Sequence, residues 1–160
     1  MIIEEITGDI VYQFKTGKYN IAHGCNCFNS MGAGLAKQVR FEYPEAFKID
    51  CNTVKGDKNK LGTFTKYYNK EHGNVLYNAY TQYDFWTHKP CDYKAIEKAI
   101  RAICVDIVIH DDILVKNLAL PLIGAGLAGG DWDRIKNIIN DVTKDFPITI
   151  VHFRNTPFFK

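Results

Sequence analysis

A three-layer α/β domain is the fold class this sequence predicts. Three observations predict it: strand-like segments alternate with helix-period segments along the chain, Leu118 to Ile123 is a continuous apolar run suited to a strand buried on both faces, and two long segments carry one-sided apolar stripes. The 160 residues, 46% of them hydrophobic, lie in the size range of one compact domain with a sizeable core. No internal repeat, low-complexity tract or linker interrupts them, so residues 1–160 are expected to form a single domain.

Ile2 to Ile6 reads as a first strand, and Thr7-Gly8-Asp9-Ile10 follows as a turn carrying a carboxylate at the strand end. Tyr19 to Cys25 reads as a second strand, running into an Asn-, Ser- and Gly-rich loop that ends at Gly34. A helix is expected from there, with Leu35, Val39 and Tyr43 on one face until Pro44 stops it. Lys55 to Lys60 reads as a polar surface loop. Thr63 to Tyr68 and Val75 to Tyr80 are β-rich and are expected to pair or lie side by side. Asp92 is positioned to cap a helix whose apolar residues Tyr93, Ile96, Ile100, Ile103 and Ile107 recur at spacings of three and four. Beyond the Leu118–Ile123 strand, Trp132, Ile135, Ile139, Val142 and Phe146 mark a further helix, broken at Pro147. Ile148 to Phe153 closes the pattern as a strand.

With 20 basic and 18 acidic residues spread along the chain, the net charge of +2 provides no electrostatic footprint for duplex nucleic acid or an anionic membrane. An anion would have to be held locally. The amino-terminal Met1-Ile2-Ile3-Glu4-Glu5-Ile6 is acidic where a signal peptide is basic, and no apolar run approaches the roughly 18 residues of a membrane span. Five cysteines form no paired spacing, which fits reduced thiols and a cytoplasmic, monomeric protein.

Two glycine-rich loops stand between an expected strand and an expected helix: Met31-Gly32-Ala33-Gly34-Leu35-Ala36 and Gly124-Ala125-Gly126-Leu127-Ala128-Gly129. Such loops let backbone N–H groups converge on an anion, with the helix terminus adding partial positive charge, and two of them suffice for the two phosphates of one ligand. Glycines that serve only tight turns give the same pattern. The second loop matches G-x-G-x-x-G, but the acidic residue that a dinucleotide fingerprint needs about 20 positions on is missing. No G-x-x-x-x-G-K-[ST] loop occurs either.

These loops, together with Gly8-Asp9-Ile10, Ile21-Ala22-His23-Gly24-Cys25-Asn26-Cys27 and Leu120-Pro121-Leu122-Ile123 leading to Gly130-Asp131-Trp132, resemble the macro domain family across nearly the whole chain. The likeness is greatest to the branch of ADP-ribose-1″-phosphate phosphatases from phages, bacteria and yeast. The resemblance implies a mixed central sheet between helices, with ADP-ribose in a cleft across the strand ends. It implies that Asp9 accepts the adenine amino group beside Ile10, with Gly8 at the same strand end. Met31, Gly32, Ala33, Gly34, Leu35 and Ala36 would form one wall of the pyrophosphate site. Pro121, Leu122, Ile123, Gly124, Ala125, Gly126, Leu127 and Ala128 would form the other. Asn26 would contact the distal ribose near Gly24, and Phe153 would stand near the adenosine end or else be a core residue.

The expected function is binding of ADP-ribose and hydrolysis of ADP-ribose 1″-phosphate, with no cofactor or metal, in the cytoplasm of a bacterium or of a phage-infected cell. The glycohydrolase branch of the family carries a lysine after the strand matching Val75 to Tyr80 and an aspartate at the position of Ala128. Here Thr81-Gln82-Tyr83 and alanine stand there, which weakens the alternative of removing ADP-ribose from protein or nucleic acid. A non-catalytic ADP-ribose reader fits both loops equally.

For the chemistry, His23 is the first candidate proton carrier, since its ordinary pKa is near neutrality and residues 23 and 25 share a strand face; a structural role for the ring is the alternative. Asp131 opens the last helix and either orients water or caps that helix. Asn26 positions a ribose hydroxyl. His23-x-Cys25-x-Cys27 lacks the second ligand pair of a zinc site, so no metal is expected. The segment from Gln82 through Phe85, Trp86, His88 and Lys89 reads either as a wall over the distal ribose, reached by Gln82 or His88, or as an ordinary loop.

Overall fold

The alternating pattern closes into one sheet. The computed structural model describes residues 1–154. In chain order it contains β1 (Ile2–Gly8), α1 (Ile10–Lys15), β2 (Ile21–Cys25), α2 (Gly34–Glu42), α3 (Pro44–Cys51), a 3-10 turn (Lys58–Lys60), β3 (Phe64–Asn69), β4 (Asn74–Tyr80), α4 (Tyr93–Ile109), β5 (Leu118–Leu120), α5 (Trp132–Val142) and β6 (Ile148–Phe153). The strand order is β1-β6-β5-β2-β4-β3. All neighbours are parallel except the hairpin of β3 and β4, so the sheet is mixed, as expected for the α/β class.

Two apolar layers sandwich the sheet. On one face Phe14 of α1, Val39 of α2 and Ala46 of α3 pack over Ile21, Leu76 and Val151. On the other, Ile96, Ile100, Ile103 and Ile107 of α4 and Ile135 and Ile139 of α5 cover Ala22, Tyr77, Leu120 and Ile150. β4 is buried along its whole length because both faces are covered, whereas β1 at the edge exposes Glu4 and Glu5, charges that discourage edge-to-edge pairing. Among the described residues no helix is long and apolar enough to cross a membrane.

Local chemistry sets several boundaries differently from the sequence reading. Asp9 is more than a turn residue: its Oδ1 accepts from the N–H groups of Val11 and Tyr12 at 2.9 and 3.3 Å and so starts the short helix α1. Pro44 ends α2 as expected and also opens α3, because a residue without an N–H is well placed at a first helical position. β2 begins at Ile21, two residues late. β5 stops at Leu120 rather than Ile123, since Pro121 cannot donate to a sheet ladder and Ile123 N instead turns back to Pro121 O at 2.7 Å. α5 ends at Val142, four residues short of Phe146.

The segment Lys55–Lys60 is not wholly a surface loop. Lys60 is buried, and its ammonium donates to Cys27 O at 3.0 Å, Asn29 Oδ1 at 2.8 Å and Val54 O at 3.2 Å. Three acceptors satisfy its three protons. The buried charge thereby ties the loop after β2 to the segment after α3.

Candidate ligand cleft

Parallel neighbours β2 and β5 send their following chains to opposite faces of the sheet, β2 toward α2 and β5 toward α5. Diverging connections open a crevice beyond the carboxyl ends of the strands, the place where open α/β sheets bind ligands. Here the crevice holds about 640 Å³. Its walls are the two glycine loops: Gly32, Ala33, Gly34, Leu35 and Ala36 on one side, and Gly124, Gly126, Leu127 and Ala128 on the other. Gly24, Cys25 and Asn26 at the end of β2, with Pro121, Leu122 and Ile123 after β5, line the space between, and Thr81 and Gln82 extend it toward β4.

The walls offer amides rather than charges. α2 is preceded at its N-cap by Ala33, whose methyl side chain cannot accept a hydrogen bond, so the N–H groups of Gly34, Leu35 and Ala36 have no acceptor within the helix. In the second loop Ala125, Gly129 and Gly130 donate to Leu122, Gly126 and Gly124 carbonyls, which folds the loop on itself. The N–H groups of Gly126, Leu127 and Ala128 have no acceptor among the described residues. Among the described residues no lysine or arginine lines the crevice. Glycine is required for this closure at two points. Gly124 has φ of 77°, and a Cβ on Gly130 would stand 2.6 Å from Gly124 O.

Some expected residues fall outside this crevice. Met31 is fully buried and anchors the first loop, and Ala125 spends its N–H inside its own loop. Gly8, Asp9, Ile10 and Phe153 gather at the ends of β1 and β6, where Gly8 pairs with Phe153. Phe153 is 66% exposed, which removes its reading as a core residue. Both oxygens of Asp9 accept from Gln38 Nε2, at 3.0 and 2.9 Å. Gln38, which sequence reasoning missed, also lines a neighbouring recess with Met31, Gly32 and Gly34. It carries no sequence signal beyond a polar residue on a helix.

Asn26 is rigidly presented. Its Nδ2 donates to Ser30 O at 3.0 Å and its Oδ1 accepts from Phe28 N at 2.8 Å. Gln82 lines the cleft, and its Nε2 donates to Asp84 O at 2.7 Å. Ser30, Thr81, Phe85, Thr87 and Pro90 also line the cleft, whereas His88 does not. Their signal was positional: all follow the ends of strands.

Neither proposed proton carrier reaches the crevice. His23 is 1% exposed, and its Nε2 donates to Asn78 Oδ1 at 2.7 Å. Burial lowers its pKa to about 4, with the Asn78 hydrogen bond opposing, so the ring is neutral at physiological pH. The shared face with Cys25 is real, Sγ lying 3.6 Å from Nε2, but only Cys25, at the strand end, lines the crevice. Burial pushes the Cys25 thiol well above its ordinary range, which removes its nucleophilicity near neutral pH. Asp131 caps α5, its Oδ1 accepting from Asp133 N at 3.0 Å, and it does not line the crevice. Among the described residues, no group of three or more His, Cys, Asp or Glu side chains is arranged to hold a metal ion.

Comparison with known proteins places this geometry. The chain is 36% identical over 154 residues to an uncharacterized 17.5 kDa protein from the tk-vs intergenic region of Enterobacteria phage T4, covering 94% of this chain and 96% of that protein. It is 23% identical over 158 residues to an ADP-ribose 1″-phosphate phosphatase of Candida albicans, covering 88% of this chain and 93% of the relative. Among solved structures, Thermosipho africanus DarTG in complex with ADP-ribose matches with a TM-score of 0.71 at 20% identity, covering 91% of this chain and 41% of that one, a likeness of fold. A family model, the macro domain, matches residues 22–139, and it spans both glycine loops and the strands between them. The chain belongs to the macro domain family.

Proposed function

We propose that this macro domain binds ADP-ribose in the crevice between its two glycine loops and hydrolyses ADP-ribose 1″-phosphate. One observation carries the binding reading: six residues whose backbone N–H groups find no acceptor among the described residues, three from each wall, line one space that no described lysine or arginine enters. Such amides suit a pyrophosphate, whose charge is spread over several oxygens. Support comes from the ADP-ribose held by the Thermosipho relative of the fold and from the named activity of the Candida relative.

In the reaction water attacks phosphorus, the bond from phosphorus to the C1″ oxygen breaks, and ADP-ribose departs with that oxygen protonated. A loose phosphoryl transition state calls chiefly for alignment and electrostatic stabilisation. Asn26, fixed at both ends of its amide, is the group suited to hold the distal ribose for this alignment. A second reading, a reader that binds without turnover, is favoured by one observation: no carboxylate or imidazole of the described residues lines the crevice.

A calorimetric titration with ADP-ribose, run beside phosphate release from ADP-ribose 1″-phosphate with no metal added, separates these readings. Binding with release supports the phosphatase, and binding alone supports the reader. Absence of binding sinks both.

A further inference from the structure

We propose that the recess bounded by Lys89, Lys94 and Arg134 is the subsite for the terminal phosphate of ADP-ribose 1″-phosphate, an inference that rests on the substrate reading above. The crevice itself leaves this group without a counter-charge. Among the described residues its lining contains no lysine or arginine, whereas a phosphate monoester carries nearly two negative charges at neutral pH. If adenine lies toward Asp9 and Phe153 at the ends of β1 and β6, the strand order puts the C1″ end toward β4. There, beyond Gln82, a second cavity of about 460 Å³ adjoins the crevice, and Thr87 and Pro90 line both.

The charges in this recess are arranged unequally. Its two carboxylates are engaged at home: Asp84 accepts from Thr87 N at 3.0 Å and Thr87 Oγ1 at 2.6 Å, and Asp92 caps α4 by accepting from Ala95 N at 3.0 Å. Its three cations form no salt bridge among the described residues. Arg134 is held with its guanidinium carbon 3.8 Å from the centroid of the Tyr93 ring, a cation–π contact that uses none of its five N–H donors. Lys89 is bedded on the second glycine loop, since a Cβ on Gly129 would meet Lys89 Cγ at 2.8 Å. It also has φ of 52°, a left-handed conformation that is costly for a residue other than glycine. This strained lysine stands in sequence between Thr87 and Pro90, which line both cavities, and itself lines the second.

The test compares ADP-ribose with ADP-ribose 1″-phosphate on the intact protein and on a triple variant, Lys89→Asn, Lys94→Gln and Arg134→Gln, all exposed positions. KM serves where phosphate is released and Kd where it is not. The parent is expected to favour the phosphorylated ligand, and the variant to lose roughly tenfold of that preference while its ADP-ribose affinity changes by less than about twofold. Arg134→Glu alone should also lower the preference, and Arg134→Lys should retain part of it. An unchanged preference in the triple variant, or an equal loss for both ligands, overturns the subsite while leaving the cleft reading intact. Failure of the parent to bind ADP-ribose overturns both.

Discussion

α2 and α5 both begin directly after a glycine-rich loop, and they begin differently. α5 starts on Asp131, whose carboxylate takes up an N–H of its own first turn; α2 starts on Ala33, which takes up none. α1 and α4 follow the α5 pattern, capped by Asp9 and Asp92. A capped terminus satisfies itself, whereas an uncapped one keeps its donors and its partial positive charge for something else. The absent cap at α2 forgoes about 1 kcal/mol of local stability. The one glycine-loop helix that leaves its terminus open is the one whose first turn lines the crevice.

Filling the crevice without touching a cap should have the largest effect. A Cβ at Gly126 meets no atom within 4 Å, so Gly126→Leu should fold normally and lower ADP-ribose affinity by roughly a hundredfold or more, read by calorimetry beside an unchanged melting curve. Next in size is giving α2 the cap it lacks. Ala33 already has extended φ and ψ of −146° and 160°, the conformation a capping residue needs. Ala33→Asp should therefore raise stability by about 1 kcal/mol and weaken ADP-ribose by roughly tenfold, since its carboxylate competes for the amides and repels the pyrophosphate. A variant that binds ADP-ribose as tightly as the parent would refute the role given to α2.

A third prediction uses pH. His23 has its folded pKa lowered to about 4 from an ordinary 6.5, so the unfolded chain takes up a proton in that interval while the folded one does not. Its contribution to stability is fully present above about pH 6.5, falls as pH drops toward 4, and levels off below. Denaturant unfolding at pH 7 and pH 5 should show this loss, and His23→Gln should flatten that part of the slope. A kinetic pKa near neutrality that vanished in the same variant would instead return His23 to the chemistry. The smallest effect is at the capped partner: Asp131→Ala should cost about 1 kcal/mol and leave ADP-ribose affinity unchanged.

The fold class was legible because the long elements carry strong periodicity, and Asp92 and Asp131 stand one residue ahead of the helices they cap. The short helices α1 and α3 were not legible, since six and eight residues give too few turns for a periodic signal. Pro44 was read for the helix it ends and not for the one it begins. Both glycine loops were found, because glycine at a strand end has a backbone meaning that survives without coordinates. The chemistry was not: whether a strand histidine faces a cleft or a core depends on which layer covers that face. His23 and Cys25 differ by two residues on one strand, and only the second reaches the opening. Lys60, an unremarkable charge in sequence, proved to be buried among three carbonyl acceptors that no local pattern could assemble.

Contact between six main-chain amides and the ligand is tested most directly by amide chemical shifts. In a titration of isotopically labelled protein with ADP-ribose, the N–H resonances of Gly34, Leu35, Ala36, Gly126, Leu127 and Ala128 should move most, downfield and together, with a common dissociation constant. Movement confined to other residues, or titration of one loop without the other, would contradict a pyrophosphate held between the two walls.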